Sequence, residues 1–562
     1  MKILRFAAVA ALLMPVLSSC VRVNTELGRD LIDVSQQYKV YTATFPLTDI
    51  KMEAPDSLSG YSTTRMTIGA IRDDEFKLTS RGSAVTLVPA LAPDDTLDFG
   101  VDPKIVRFSF HVATDTVSAL SENQRYILQN VNVYELDAPL KTRRGTNDKP
   151  AIKAGRITKG VPVYNGKDSL SFDFTAAFGQ KYIDAIKGLV NKDNVLDCPF
   201  EDYVAALPGI YIDMDPPAGN GGRINLFELS CLTAVSGSYT RNYNEAILRI
   251  RAKYPDAEGK LVEKDSSFLF IPGEPEFTKE TDYTSNNKAF DQLAFNYTYH
   301  DSRSRMGAAT DKIFVEGGGG LKPVISAKEM DEKVRAHILA NGGSLDNVLI
   351  NRATLELPFE APADYSEYDY FPAVLSPTCR IDYGEYVQFA SLTDASASSE
   401  DPGEIDRSND LYRPDITHHL QEMLKVDPSD AKISNYDVWF LALHTEVVET
   451  ASTSSLDNEY YQNLMYANYY NQLYGDYGYG GYGYGGYGYG GYGGYGYGYD
   501  SYSNYYSYMM LAQMYQNANT NNTTTTTELD KDRWYKAVLN GPTSTSSRKP
   551  VLKVTYSLPV GE

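Results

Sequence analysis

The sequence predicts a mainly β fold: two tandem jelly-roll-like β-sandwich domains, each with a short capping helix, plus a disordered Tyr/Gly-rich insertion. Three observations carry this. Apolar and polar residues alternate with period two along much of the chain, as in KIVRFSFHV at 104–112. Clusters of Gly, Pro, Asn and Asp, such as DPPAGNGG at 215–222, separate these runs. Finally, one order of elements occurs twice: strands, then Asp-x-Thr and a short helix, then more strands.

The chain opens with MKILRFAAVAALLMPVLSSC. Lys2 and Arg5 form a basic start, and Phe6 to Leu17 is an apolar run too short to span a bilayer comfortably. Leu17-Ser18-Ser19-Cys20 resembles a bacterial lipobox. The resemblance implies a signal peptide at 1–19, cleavage before Cys20 and lipidation of Cys20. Each buried CH₂ contributes about 0.8 kcal/mol, so several acyl chains anchor a protein firmly. Residues 20–37 then form a tether. No later run reaches ~18 apolar residues, so the lipid is the expected membrane attachment.

Strand-like segments follow in order: YKVYTATFPL (38–47), TTRMTIGAI before the turn-like RDDEF (72–76), KIVRFSFHV, VNVYEL (131–136), GIYIDM (209–214) and RINLFEL (223–229). DPPAGNGG makes a turn between the last two. AILRIRAKYP and SSFLFIP, within 246–272, read as a hairpin. One helix interrupts the run, because Phe178, Tyr182 and Ile186 recur at i, i+4 and i+8. Asp173 and Thr175 precede it as expected caps. The second occurrence comprises the strand NRATLELPF (351–359), then Asp415 and Thr417 ahead of a helix with Leu420, Met423 and Leu424. The strands YDVWFLALHTEVVE (436–449) and PVLKVTYSL (550–558) complete it. The expected domains are therefore 38–280 for the first sandwich, and 281–451 with 531–562 for the second.

Residues 452–530 are read as one low-complexity insertion of Tyr, Gly, Asn and Thr. Its centre, 477–500, alternates tyrosine with glycine. Glycine keeps such a tract unfolded, and tyrosine supplies π faces and hydroxyls for weak multivalent contacts. Tyr479, Tyr482, Tyr484, Tyr487, Tyr489, Tyr492, Tyr495 and Tyr497 are the candidate contact residues. An inserted loop costs little, because closure entropy grows only logarithmically with length.

Net charge is -21. An acidic surface of that size repels phosphate backbones, so nucleic acid is not an expected partner. Cys198, Cys231 and Cys379 sit in no CxxC or Cys/His cluster, which argues against structural zinc. At most one disulfide can form among them, with Cys198–Cys231 the nearer pair, and three buried thiols are the alternative. His111, His300, His337, His418, His419 and His444 are scattered, and adjacent His418 and His419 point about 100° apart on a helix. Asp213 and Asp215 start like an EF-hand loop, but the glycine and twelfth-position Glu do not follow. Gly317 to Gly320 lacks the GK[ST] of a phosphate loop. No catalytic residue, cofactor or metal is expected.

The segments ELGRDLI, RMTIGAIRDDEF, LPGIYIDMDPPAGNGGRINLF, DKIFVEGGGGLKPVIS, LINRATLELPF and RWYKAVLNG…KPVLKVTYSL occur in an order that resembles a Bacteroidota outer-membrane lipoprotein family, domain of unknown function 4270. The resemblance covers most of the mature chain outside 452–530. It implies a lipid-anchored outer-membrane location and carries no catalytic residues. Lipoproteins exported to the surface in that phylum often have an acidic cluster after the cysteine. Here Val21-Arg22-Val23-Asn24 follows, which leaves both the cell surface and the periplasmic face open. The expected role is non-catalytic: a binding or scaffold component of the envelope, with an outer-membrane protein or a glycan as partner. A carbohydrate-binding surface lipoprotein is the alternative.

Overall fold

The computed structural model describes residues 37–560 except 56–57, 63, 91–95, 142–143, 230–231, 236–237, 274–292, 383–386, 395–400, 450–522 and 530–531. The expected signal peptide 1–19, Cys20, Cys231 and the tyrosine–glycine tract lie outside the described residues.

The protein is mainly β, built from antiparallel sheets with few helices. In the first sandwich a single strand serves both layers. Val101–Ala119 is 19 residues long. Its second part pairs with Gly221–Glu228, and its first part pairs with Glu245–Pro255 and Ser169–Asp173. A strand that changes sheets in this way makes the corner of a sandwich. The enclosed core is aromatic. Phe108 touches Phe174, Phe178, Tyr182 and Phe270, and Phe110 stacks on Phe172. The helix Ala176–Lys187 covers this core with the expected stripe, since Phe178, Tyr182 and Ile186 are all buried.

The second sandwich is closed by two further sheets. One runs Tyr38–Pro46, Val551–Pro559, Leu349–Pro358, Leu411–Tyr412, Ile405–Asp406. The other includes Ile50–Glu53, Lys322–Ile325, Val438–Glu449, Val374–Asp382 and Val387–Ser391. Leu355, Val554, Ile325 and Phe440 meet in a core also lined by Met330, Val334 and Ile338. Those three lie on the helix Ala327–Ala340, which the sequence reading did not single out. Its signals were present: apolar residues at i, i+4 and i+8, and Ser326 capping the Glu329 N–H.

Several expectations change. Residues 38–53, expected in the first sandwich, pair within the second: Tyr38 faces Pro559, and Ile50 faces Ile325. In exchange, Ala294–His300, expected in the second, pairs with Thr79–Ala84 of the first. Alternation marks a strand but carries no information about its partner. The turn at DPPAGNGG does not join a hairpin. Ile210–Met214 pairs with Lys77–Val85 and Gln129–Leu136, while Gly221–Glu228 pairs with Arg65–Asp73. The RDDEF turn joins Arg65–Asp73 to Lys77–Val85, and the hairpin at 246–272 forms as read. Asp173 is the last residue of a strand, opposite Ser109, and its carboxylate meets Arg107. The cap is Thr175, whose hydroxyl accepts from the Phe178 N–H at 3.2 Å.

The insertion is also shorter than 452–530. Thr523–Leu529 is a strand, paired with Val438–Glu449 from Leu443↔Leu529 to Glu449↔Thr523. The run of threonines looks like low complexity, yet β-branched side chains suit an extended strand.

Candidate functional site

The candidate contact tyrosines and the lipidation residue Cys20 lie outside the described residues, but the mounting of the insertion is described. Residues 450–522 leave and return through one antiparallel stem, closed by Glu449↔Thr523. Directly after the stem, the chain enters the junction between the two sandwiches. Trp534 is buried against Ile71, Ile224 and Leu226 of the first sandwich. The carbonyl oxygens of Asp532 and Arg533 accept from the guanidinium of Arg81 at 2.5 and 3.0 Å. Lys536 pairs with Asp73 and Lys312 with Glu75 at the edge of this contact.

Beneath it lies a buried ionic cluster. The Glu316 carboxylate accepts from Thr79 Oγ1 at 2.8 Å and from Ser302, and it lies 2.9 Å from His300 Nδ1. Both Glu316 and His300 side chains are 0% exposed. Burial pushes the Glu316 carboxyl up, but His300, Ser302 and Thr79 outweigh it and hold it below its ordinary value. Burial likewise pulls His300 down, against the attraction of Glu316.

Next to this pair, Lys322 Nζ donates to the carbonyl oxygens of Glu316, Gly318 and Gly320, the last two at 3.0 and 3.1 Å. Three carbonyls take the three ammonium protons in place of water. The glycine run is the wall of this cage. Gly318 has φ +56°, and a Cβ on Gly320 would lie 2.4 Å from the Glu316 Cβ. Thus Gly317 to Gly320 holds a cation rather than an anion. Burial pulls the Lys322 ammonium down to about 7. Thr79 and His300 of the first sandwich hold Glu316, so the cluster joins the two sandwiches, while His300 Nε2 is buried without a hydrogen-bond partner among the described residues.

Cys379 and His419 form a second buried pair. Cys379 Sγ lies 3.9 Å from His419 Nδ1, and His419 Nε2 lies 2.9 Å from the Tyr436 carbonyl. A cysteine nucleophile needs a lowered thiol beside a charged imidazole. Burial does the reverse, raising Cys379 to about 12 and lowering His419 to about 4. The backbone N–H groups of His418 and His419 are capped by Asp394, while Asp415 takes the Thr417 N–H. The His418 side chain stays half exposed. Asp213 and Asp215 are held by the Asn132 amide at 3.0 and 2.9 Å. Cys198 is a half-buried free thiol. Among the described residues no three His, Cys, Asp or Glu side chains converge on one point.

Among the described residues, the exposed tyrosines Tyr38, Tyr126, Tyr243, Tyr299 and Tyr365 sit on separate segments of the chain. Arg81, His300, Glu316 and Lys322 were not identifiable as a group from sequence. Their spacing is irregular, and only the unusual glycine run before Lys322 could have pointed to them.

The fold and its junction define a two-sandwich, mainly β protein with an insertion mounted on a β-stem. No family model, curated protein or solved structure matches the chain.

Proposed function

We propose that this chain is a lipid-anchored protein of the bacterial outer membrane with a non-catalytic binding or scaffold role, as its resemblance to a Bacteroidota lipoprotein family implies. Cys20 carries the anchor, and the tyrosine–glycine insertion is the contact element. The observation that supports this most is the mounting of the insertion. Residues 450–522 are inserted at the end of a paired stem, and the chain after the stem is fastened to the first sandwich through Arg81 and Trp534. A long insertion held at such a junction suits display to a partner. The buried ionic groups, by contrast, are committed to packing.

The test is affinity capture from envelope extracts with the full chain and with a variant lacking 452–520. A single stoichiometric outer-membrane protein, captured by the full chain and lost with the insertion, supports the scaffold reading. Retention on envelope glycan without a protein partner favours the carbohydrate-binding alternative. Capture that is unchanged by the deletion removes the role given to the tract.

A further inference from the structure

Three exposed apolar side chains of the second sandwich lie together on one sheet. Tyr38, Val40 and Leu349 are 56%, 58% and 57% exposed. They share one face of one sheet: Val40 pairs with Ser557, Ser557 pairs with Leu349, and Tyr38 pairs with Pro559 beside them. Val560, also exposed, closes this end by donating its N–H to the Gln37 carbonyl at 2.9 Å. Further along the same face the character changes. Thr42 bonds Thr555, and Lys553 pairs with Glu356. The apolar patch is therefore confined to the end at which the chain arrives from its N-terminal segment.

We propose that this end of the second sandwich rests on the lipid surface, with Tyr38, Val40, Leu349 and Val560 in contact with the bilayer interface. The inference rests on the lipoprotein reading, because the chain between Cys20 and the patch sets the distance. The seventeen residues from Val21 to Gln37 reach at most about 60 Å when extended, and average about 23 Å as a flexible chain. The patch is thus the part of the fold held nearest to an anchored Cys20. Its chemistry suits that position. Aliphatic side chains with a tyrosine fit the boundary between headgroups and acyl chains. A net charge of -21 disfavours anionic lipid and leaves zwitterionic lipid as the matching surface.

The test uses the full-length protein in phosphatidylcholine vesicles with and without brominated acyl chains. Tyr38→Trp and Leu349→Trp place probes in the patch. Leu261→Trp, at an exposed site on the 246–272 hairpin, is the comparison, and Trp439 and Trp534 give a constant background. The probes at 38 and 349 should lose most of their added emission in brominated vesicles, and the probe at 261 should keep it. Equal quenching at all three positions, or none at 38 and 349, overturns the orientation. Intact mass on the same samples separates the two readings. Acylated Cys20 with unquenched probes at 38 and 349 sinks the orientation alone. Quenching at 38 and 349 with unmodified Cys20 keeps the lipid-facing patch and removes the anchor. Unmodified Cys20 with unquenched probes removes both.

Discussion

The guanidinium of Arg81 donates to the carbonyl oxygen of Asp532 at 2.5 Å across 451 positions of sequence. Arg81 belongs to the first sandwich, and Asp532 follows the stem of the insertion in the second. Their bond ties both sandwiches to the chain that leaves the tyrosine–glycine tract.

Replacing that guanidinium should therefore loosen the junction. Arg81→Met leaves two buried carbonyls, of Asp532 and Arg533, without this donor, at about 1–3 kcal/mol each. Denaturant unfolding should move to lower midpoint, with a separate transition for one sandwich. An unchanged midpoint would show that the junction does not depend on Arg81.

Lys322 should give the protein an alkaline stability slope. Its folded value, about 7, lies below the ordinary 10.5. Between those values the unfolded chain binds a proton that the folded chain does not, so stability rises with pH through this window. The slope is at most about 1.4 kcal/mol per pH unit. Lys322→Met should be less stable overall, with three carbonyls unpaired, but flatter between pH 7 and 9. Parallel curves for wild type and variant would place the Lys322 proton elsewhere.

The first capping helix distinguishes two neighbouring residues. Thr175→Ala should cost about 1 kcal/mol, because its hydroxyl caps the Phe178 N–H. Asp173→Ala removes only a partly exposed pair with Arg107 and should cost less than about 1 kcal/mol. Thermal melts of the two variants decide this, and a larger loss for Asp173→Ala would reverse the assignment.

Two deletions test the boundary of the insertion. Removing 452–520 keeps the stem, and stability should change by less than about 1–2 kcal/mol, the scale of loop closure. Removing 452–530 also takes the strand Thr523–Leu529 and should destabilise the second sandwich further. Equal stabilities would mean that this strand contributes nothing to the sheet.

Cys20→Ser tests the anchor. The variant should move from the membrane to the soluble fraction on cell fractionation. Retention in carbonate-washed membranes would remove the lipoprotein reading.

Much of the local architecture was legible. The Phe178, Tyr182, Ile186 stripe, the RDDEF turn and the hairpin at 246–272 each depend on residues within a few positions of one another. The missed features depend on distant ones. Thr523–Leu529 looks like a polar repeat until Val438–Glu449 is placed beside it. Gly317 to Gly320 has no meaning until the Lys322 ammonium needs three carbonyls.

By itself, the sequence determined the strand-rich class, the helix over Phe178 to Ile186 and the place of the tract between two strands. These follow from side-chain periodicity and backbone preference, which act over a few residues. Only the tertiary structure decided that Tyr38–Pro46 closes the second sandwich against Val551–Pro559, and that Ala294–His300 returns to the first. It also decided that Arg81, His300, Glu316 and Lys322 meet in one buried cluster. Backbone hydrogen bonds do not distinguish one extended partner from another. The choice of partner falls to the packing of whole faces, and that packing is a property of the assembled chain.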